Sequence, residues 1–251
     1  MRRIMLIIIA LSVFAFPASA ECAVYILAYH SFAGGIASSL DFTLEELSAH
    51  LDRIASMGFR FVELEAALAG SFDGDSVVVV TIDDGNYTVF EAFEKVFKPR
   101  GIKPFLFLYP NVIGKVKTAL SVERLAALAK AGCGIGAHGF YHEYMTSRAW
   151  RDDQSKVRKE VEWPGPTLEW MLGARPRLFA YPFGVAGPET AAALAEAGYR
   201  WGFTAIDSLA PFSPGDKSID PFFVPRTIVY RWNVEAIMKG LASRKPAAKR
   251  P

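Results

Sequence analysis

Val77-Val78-Val79-Val80-Thr81-Ile82-Asp83-Asp84-Gly85 is the stretch on which the fold turns. Val77 to Ile82 is almost continuously β-branched, with no alternation of polar positions. That is the pattern of a strand covered on both faces, as in parallel sheets clothed by helices. Two carboxylates and a glycine follow at once. In parallel α/β folds ligands bind at the carboxyl ends of the strands, so the position suits chemistry. Asp-Asp-Gly is also ordinary turn material, because Asp tolerates bends and Gly supplies positive φ. The stretch needs companions before it means function.

Outward from it the same grammar repeats. Residues 24–29 read as a buried strand. Thr43-Leu-Glu-Glu46 has the form of a capping box and opens a helix whose apolar positions are Leu44, Leu47, Leu51, Ile54 and Ala55; Gly58 suits its C-terminal cap. After the central strand the spacing predicts a helix over 87–98, stopped by Pro99 and Gly101. A strand at 105–108, a helix at 121–130 and a short strand at 134–138 follow. Residues 155–172 read as helix broken by Pro164 and Pro166. Then come a strand at 178–181, a helix at 189–197 capped by Gly198, and a strand at 199–204. Val229 falls in a last short strand before a helix at 234–241. Strands alternating with helices argue for a parallel sheet with helices outside. Seven or so strands suit a barrel or a doubly wound sheet, and the alternation alone fits both. No repeat, low-complexity block or long linker divides residues 21–243, so they read as one domain.

The notable polar residues fall at strand ends: His30 after 24–29, Asp83 and Asp84 after 77–82, His138 and His142 after 134–137, and Tyr181-Pro182-Phe183-Gly184 after 178–180. Three of the four histidines occupy such positions; the fourth, His50, reads as a helix-surface residue without a role. A His-x-x-x-His spacing is common by chance. Beyond a strand, however, His138-Gly-Phe-Tyr-His142 can fold back so that both imidazoles meet one ion. Two imidazoles and one carboxylate make the three-ligand set of a catalytic zinc with an open position. A second carboxylate alongside is what such a centre needs as general base.

With these residues assembled, the sequence resembles the polysaccharide deacetylases of carbohydrate esterase family 4. Thr81-Ile-Asp-Asp-Gly85, His138-Gly-Phe-Tyr-His142 and Phe179-Ala-Tyr-Pro-Phe-Gly184 carry the resemblance over roughly 75–205, and Ala28-Tyr-His-Ser-Phe32 with Val224-Pro-Arg226 resemble its exopolysaccharide branch, which includes the poly-N-acetylglucosamine deacetylases. The resemblance implies an α/β fold, a distorted, incomplete (β/α)7 barrel in a single domain. It also implies one divalent metal ion, usually zinc, held by Asp84, His138 and His142. Asp83 becomes the general base, and the Phe183 backbone N–H, with Tyr181 nearby, serves the oxyanion and substrate. The implied reaction is hydrolysis of N-acetyl groups from an N-acetylhexosamine polysaccharide with release of acetate.

Three positions depart from the family pattern. Gly139 stands where a Ser or Thr is usual, Ala180 stands where an arginine orients the base, and no histidine follows His142 to act as general acid. His30 fits that last role if the motif order is circularly permuted, which a barrel permits because its first and last strands lie close together. Arg226 fits the role of the missing arginine as partner of Asp83; an ordinary loop ion pair is the alternative. Phe140, Tyr141, Tyr144 and Tyr181 are candidates for stacking on sugar rings, with core packing the competing use.

The ends of the chain differ from its body. Met1-Arg2-Arg3, an apolar run from Ile4 to Phe16 and Ala18-Ser19-Ala20 read as an export signal cleaved near Ala20, giving a periplasmic or extracellular protein; the run is short of the ~20 residues of a membrane span. Residues 244–251 read as a basic, solvated tail. The chain carries 28 basic and 26 acidic residues; without Arg2, Arg3 and the four bases of the tail, the body holds 22 against 26, net −4. That balance gives no support to a basic groove for nucleic acid. The expected partner is the N-acetylated polysaccharide, with exopolysaccharide export machinery as a further candidate. Cys22 and Cys133 lack metal-ligand spacing and are expected as two thiols at the amino-terminal end of the barrel rather than as a disulfide. A peptidoglycan or chitin-oligosaccharide deacetylase is the nearest rival, and a non-catalytic carbohydrate-binding barrel is the rival of another class.

Overall fold

The structure, a computed structural model, describes residues 22–35, 38–72 and 76–244. The expected export signal lies outside them, as does the basic tail beyond Arg244. One sheet contains β1 (Val24–Tyr29), β2 (Arg60–Phe61), β3 (Val77–Asp84), β4 (Phe105–Leu108), β5 (Gly134–Ala137), β6 (Leu178–Ala180), β7 (Trp201–Phe203), β8 (Pro211–Phe212) and β9 (Thr227–Ile228). Its order is β7-β6-β5-β4-β3-β1-β8, with β2 on β3 and β9 on β1. Every strand pair is parallel except β1 with β8. The two sides of the curled sheet meet through residues 224–228, which bridge to Phe203 and Ile206 on one side and pair with Leu27 and Ala28 on the other. The result is the distorted, incomplete α/β barrel expected.

The helices are α1 (Leu44–Ser56), α2 (Leu64–Leu68), α3 (Thr88–Ala92), α4 (Val122–Lys130), α5 (Ser147–Asp152), α6 (Gln154–Glu162), α7 (Pro164–Leu172), α8 (Pro188–Glu196) and α9 (Val234–Ala242). The capping box forms: Thr43 N–H donates to Glu46 Oε2 at 2.8 Å and Glu46 N–H to Thr43 Oγ1 at 3.0 Å. The helix predicted over 87–98 is α3 continued by a π-helical turn at Phe93–Phe97 and a 3-10 turn at Lys98–Arg100, and Gly101 ends it with φ +65°. The break predicted in 155–172 falls at Trp163, where α6 stops and Pro164 starts α7. Pattern reading did not anticipate β2, α2, α5 or β8, which are all six residues or shorter. His50 corrects another expectation. Its ring packs against Tyr29 and Phe42, and burial pushes its pKa down, so it is a core-edge residue and not a surface one.

The alternation along the strands explains the unbroken β-branched run. Val24, Ile26, Val77, Val79, Phe105, Phe107, Leu178, Ala180, Phe203 and Val224 form one cluster inside the barrel. Their neighbours Tyr25, Leu27, Val78, Val80, Ile82, Leu106 and Leu108 form the other, under the helices. Both faces exclude water, so the run carries apolar residues on each, and a polar one enters only with a partner, as Thr81 does with Arg226. β5 has glycine at 134 and 136 because the rings of Phe105 and Phe107 lie over it: a Cβ on Gly136 would sit 2.5 Å from Phe107 Cδ1 and 2.8 Å from Phe105 Cε1.

Cys22 and Cys133 are not bridged to each other. Cys133 is buried, and burial pushes its thiol up to about 12, which keeps it protonated and inert. The glycine packing yields a direct expectation. Gly136→Ala overpacks the barrel interior and should lower unfolding stability by about 1–3 kcal/mol, read by urea denaturation; an unchanged midpoint would show that the phenyl rings yield freely.

Candidate functional site

β3 ends in Asp83 and Asp84, β1 is followed by His30, and β5 by His138, all at the carboxyl end of the sheet. Asp84, His138 and His142 each offer a ligand atom, and these atoms lie within 4.8 Å of one another. His142 Nε2 is 3.3 Å and His138 Nε2 3.6 Å from Asp84 Oδ1. His138 Nδ1 lies 2.8 Å from the Ala180 carbonyl. Only a protonated Nδ1 makes that contact favourable, so the hydrogen bond fixes the tautomer and leaves the Nε2 lone pair facing Asp84. Asp84 Oδ1 is buried and has no hydrogen-bond partner. A bare buried acceptor facing two imidazole nitrogens is costly and fits a cation between them; two nitrogens and one carboxylate oxygen suit zinc.

Asp83 is buried alongside, its Oδ2 3.8 Å from His138 Nε2. Arg226, itself 0 % exposed, reaches it from the segment that closes the barrel: Nη1 donates to Oδ1 at 2.7 Å and Nη2 to Oδ2 at 2.8 Å. Nη1 also donates to Thr81 Oγ1 and Nε to the Thr204 carbonyl, and the guanidinium lies 5.0 Å above the Phe107 ring. Arg226 is therefore the partner of Asp83 and has no face left for substrate. Burial alone would raise the Asp83 carboxyl, but Arg226 and His138 hold it below the usual carboxylate range. Asp84 is likewise low, against burial, because His142, His138 and His30 surround it. Burial depresses His138 despite the two carboxylates, whereas the Asp84 contact outweighs burial at His142 and raises it.

Among the described residues three non-glycines have positive φ: Asp84 (72°), His142 (63°) and Phe183 (60°). All three belong to this site, and such strain persists only where the surroundings over-determine it. Phe183 stands in a 3-10 turn, Pro182–Gly184, with its ring 4.6 Å from His142 and stacked on Tyr144 at 4.0 Å. His30 lines a cavity of about 180 Å³ together with Asp84, Asn86 and Tyr109. Its Nδ1 is buried without a hydrogen-bond partner.

Tyr181 corrects the sequence reading. Its ring is 0 % exposed and its hydroxyl donates to the Phe222 carbonyl at 2.9 Å, so it presents no surface to a sugar. Pattern reading also missed Tyr109, which follows β4 as His138 follows β5 and stands 5.1 Å from the His142 ring. The strand-end rule that selected the other residues would have selected it. Glu160 was missed too. This fully buried carboxylate accepts backbone N–H groups from the loop between the two histidine ligand candidates; its signal was an acid on the buried face of α6 beside Val157 and Val161.

The Asp83–Arg226 pair makes a measurable prediction. Arg226→Met leaves a buried carboxylate unpaired and should cost about 3–5 kcal/mol. Asp83→Asn in the same background should recover part of that loss, because the charge needing a partner is gone. Two losses that simply add in urea denaturation would contradict a coupled pair.

Residues 72–202 match the family model described as polysaccharide deacetylase. YxkH of Bacillus subtilis (strain 168), whose name carries the same family, is 27% identical over 194 residues, 76% of this chain and 67% of that protein. The structure of IcaB from Ammonifex degensii superposes with a TM-score of 0.74 at 25% identity, covering 87% of this chain and 96% of IcaB. A de-N-acetylase from Aggregatibacter actinomycetemcomitans shares the fold, with a TM-score of 0.73 at 14% identity over 87% of this chain and 99% of its own. The family match spans more than half of the sequence and takes in Asp83, Asp84, His138 and His142, and on that ground the chain belongs to the polysaccharide deacetylase family, carbohydrate esterase family 4.

Proposed function

We propose that this chain, exported behind residues 1–20, removes N-acetyl groups from an N-acetylhexosamine polysaccharide by metal-dependent hydrolysis and releases acetate. The observation that carries the reading is the gathering of Asp84, His138 and His142 within 4.8 Å beside a second, buried carboxylate already paired with Arg226. A carbohydrate-binding barrel has no use for that second carboxylate. The exopolysaccharide branch is supported by Ala28-Tyr-His-Ser-Phe32 and Val224-Pro-Arg226, which contain the residues that depart from the usual motif order.

Asp84, His138 and His142 would hold the ion, and zinc is the metal their donor set suits. When bound, a divalent ion supplies Lewis acidity, easing deprotonation of water and polarising the acetamide carbonyl. The chain does the rest. Asp83, kept ionised and oriented by both nitrogens of Arg226, accepts the proton of the attacking water. The Phe183 backbone N–H stabilises the oxyanion of the tetrahedral intermediate. Protonated His30 gives its proton to the amine nitrogen as the C–N bond breaks, yielding acetate and a free amino sugar.

The metal reading is tested by zinc content and acetate release from N-acetylglucosamine oligomers. Chelation should abolish release and one equivalent of zinc restore it, and His138→Ala with His142→Ala should lose both the metal and turnover; full metal occupancy in the double variant would overturn the ligand assignment. The acid is tested separately. His30→Ala should keep its metal yet lose roughly 10²–10⁴ in turnover on the amide, with a much smaller loss on an activated acetate ester whose leaving group needs little protonation. Asp83→Asn should impair both substrates. Acetate release from the amide at the parental rate in His30→Ala would leave the site without this acid.

A further inference from the structure

The loop that carries both imidazoles is folded around a carboxylate. Glu160 projects from the buried face of α6, between Val157 and Val161, and is 0 % exposed. Its Oε2 accepts N–H bonds from Phe140 at 2.8 Å, Tyr141 at 3.0 Å, His142 at 3.1 Å and, longest, Glu143 at 3.4 Å; Oε1 accepts a second contact from Tyr141 at 3.0 Å. Consecutive backbone N–H groups converging on one point make an anion-binding concavity. Here the anion is one of the chain's own side chains. The concavity exists because the backbone turns through left-handed conformations at Gly139 (φ 74°) and His142 (φ 63°).

Gly139 is the second half of the arrangement. A Cβ there would lie 2.5 Å from Glu160 Oε2 and 3.0 Å from Pro182 Cγ. A side chain at 139 and this carboxylate cannot share the space. The departure from the Ser or Thr usual at this position therefore has a structural counterpart: the loop is held from outside by Glu160, and a hydroxyl at 139 has no room.

We propose that Glu160 is a positioning residue which, through four backbone N–H groups, fixes the orientation of His142 against Asp84 and so sets the affinity of the site for its metal ion. The inference rests on the metal reading given above, and its test separates the two. Positioning of this kind acts on the ligand rather than on the ion: without the carboxylate, the four N–H groups must seek water, the left-handed turn at His142 loses its restraint, and Nε2 is no longer held at 3.3 Å from Asp84.

The experiment measures zinc affinity of the whole chain by competition with a chromophoric chelator, together with amide hydrogen exchange at residues 140–143 in metal-free protein. Glu160→Ala should keep the parental far-UV circular dichroism, lose exchange protection at 140–143, and bind zinc more weakly by on the order of 10–100-fold. Glu160→Gln keeps the shape but sets an amide N–H against the Tyr141 N–H, and should fall between the two. The cobalt-substituted visible spectrum should shift in both variants, a change that loss of stability alone would not produce. Gly139→Ser should resemble Glu160→Ala, because the added side chain displaces the carboxylate. Parental zinc affinity with parental exchange protection in folded Glu160→Ala overturns the proposal. If Glu160→Ala does not fold, Glu160→Gln decides by the same criteria, and its failure to fold as well would assign the carboxylate to the domain rather than to the loop. A parent chain that binds no zinc refutes the metal reading, while loss of protection at 140–143 in the variants still upholds the clamp.

Discussion

A carboxylate and a guanidinium, both withdrawn from water, meet at the top of the barrel interior, and most of the architecture around the site follows from accommodating them. Asp83 ends the central strand; Arg226 lies 143 residues further on, in the segment through which the curled sheet closes. Desolvating either charge alone is prohibitive, so the barrel closes with its counter-ion in place. The pair is bidentate and planar, which fixes orientation as well as charge. Thr81, Thr204 and the Phe107 ring occupy the remaining faces of the guanidinium. The interaction that stabilises closure is thus also the one that aims a carboxylate at the site.

The segments around that pair are tied down by hydrogen bonds between side chains and backbone. The Ala180 carbonyl sets the tautomer of His138. Asp41 accepts from Ser31 Oγ and from the N–H groups of Ala33 and Gly35, holding the loop that follows His30. Glu160 does the same for the loop between His138 and His142. Buried carboxylates that accept several N–H bonds are stable where lone ones are not, and each ties a functional segment to a helix or to a neighbouring loop. Loops joined in this way behave as extensions of the scaffold.

Much of this was legible in the sequence, for reasons that differ by residue. Val77–Ile82 announced a two-sided buried strand because hydrophobic continuity needs no tertiary context. Asp83, Asp84, His138 and His142 were found because parallel strands put their carboxyl ends at one rim and chemistry-bearing residues stood there. Arg226 was reachable only as the replacement for an arginine absent at position 180. What failed was whatever depends on side-chain direction. Tyr181 stands at a strand end like its neighbours, yet its ring turns inward to Phe222. His50 reads as a helix-surface residue, yet it stands three residues after Leu47 and four before Ile54 on the buried face of α1, against Tyr29 and Phe42. Glu160 sat among apolar helix positions, where an acid reads as an error until its four N–H partners, 17 to 20 residues away in sequence, are seen. β8 is two residues long and antiparallel, too short for periodicity to register.

The three left-handed non-glycine residues set a limit on how this protein can be improved. A Cβ in that conformation costs roughly 1–2 kcal/mol, and glycine would remove the cost at Asp84, His142 and Phe183 alike. At Asp84 and His142 the side chain belongs to the candidate metal cluster, and at Phe183 the ring packs on His142 and Tyr144. Relief of backbone strain alone would therefore favour glycine at residues whose side chains build the candidate site. An engineer seeking a hardier variant has to look elsewhere, because at this rim thermostability and turnover draw on the same backbone torsions.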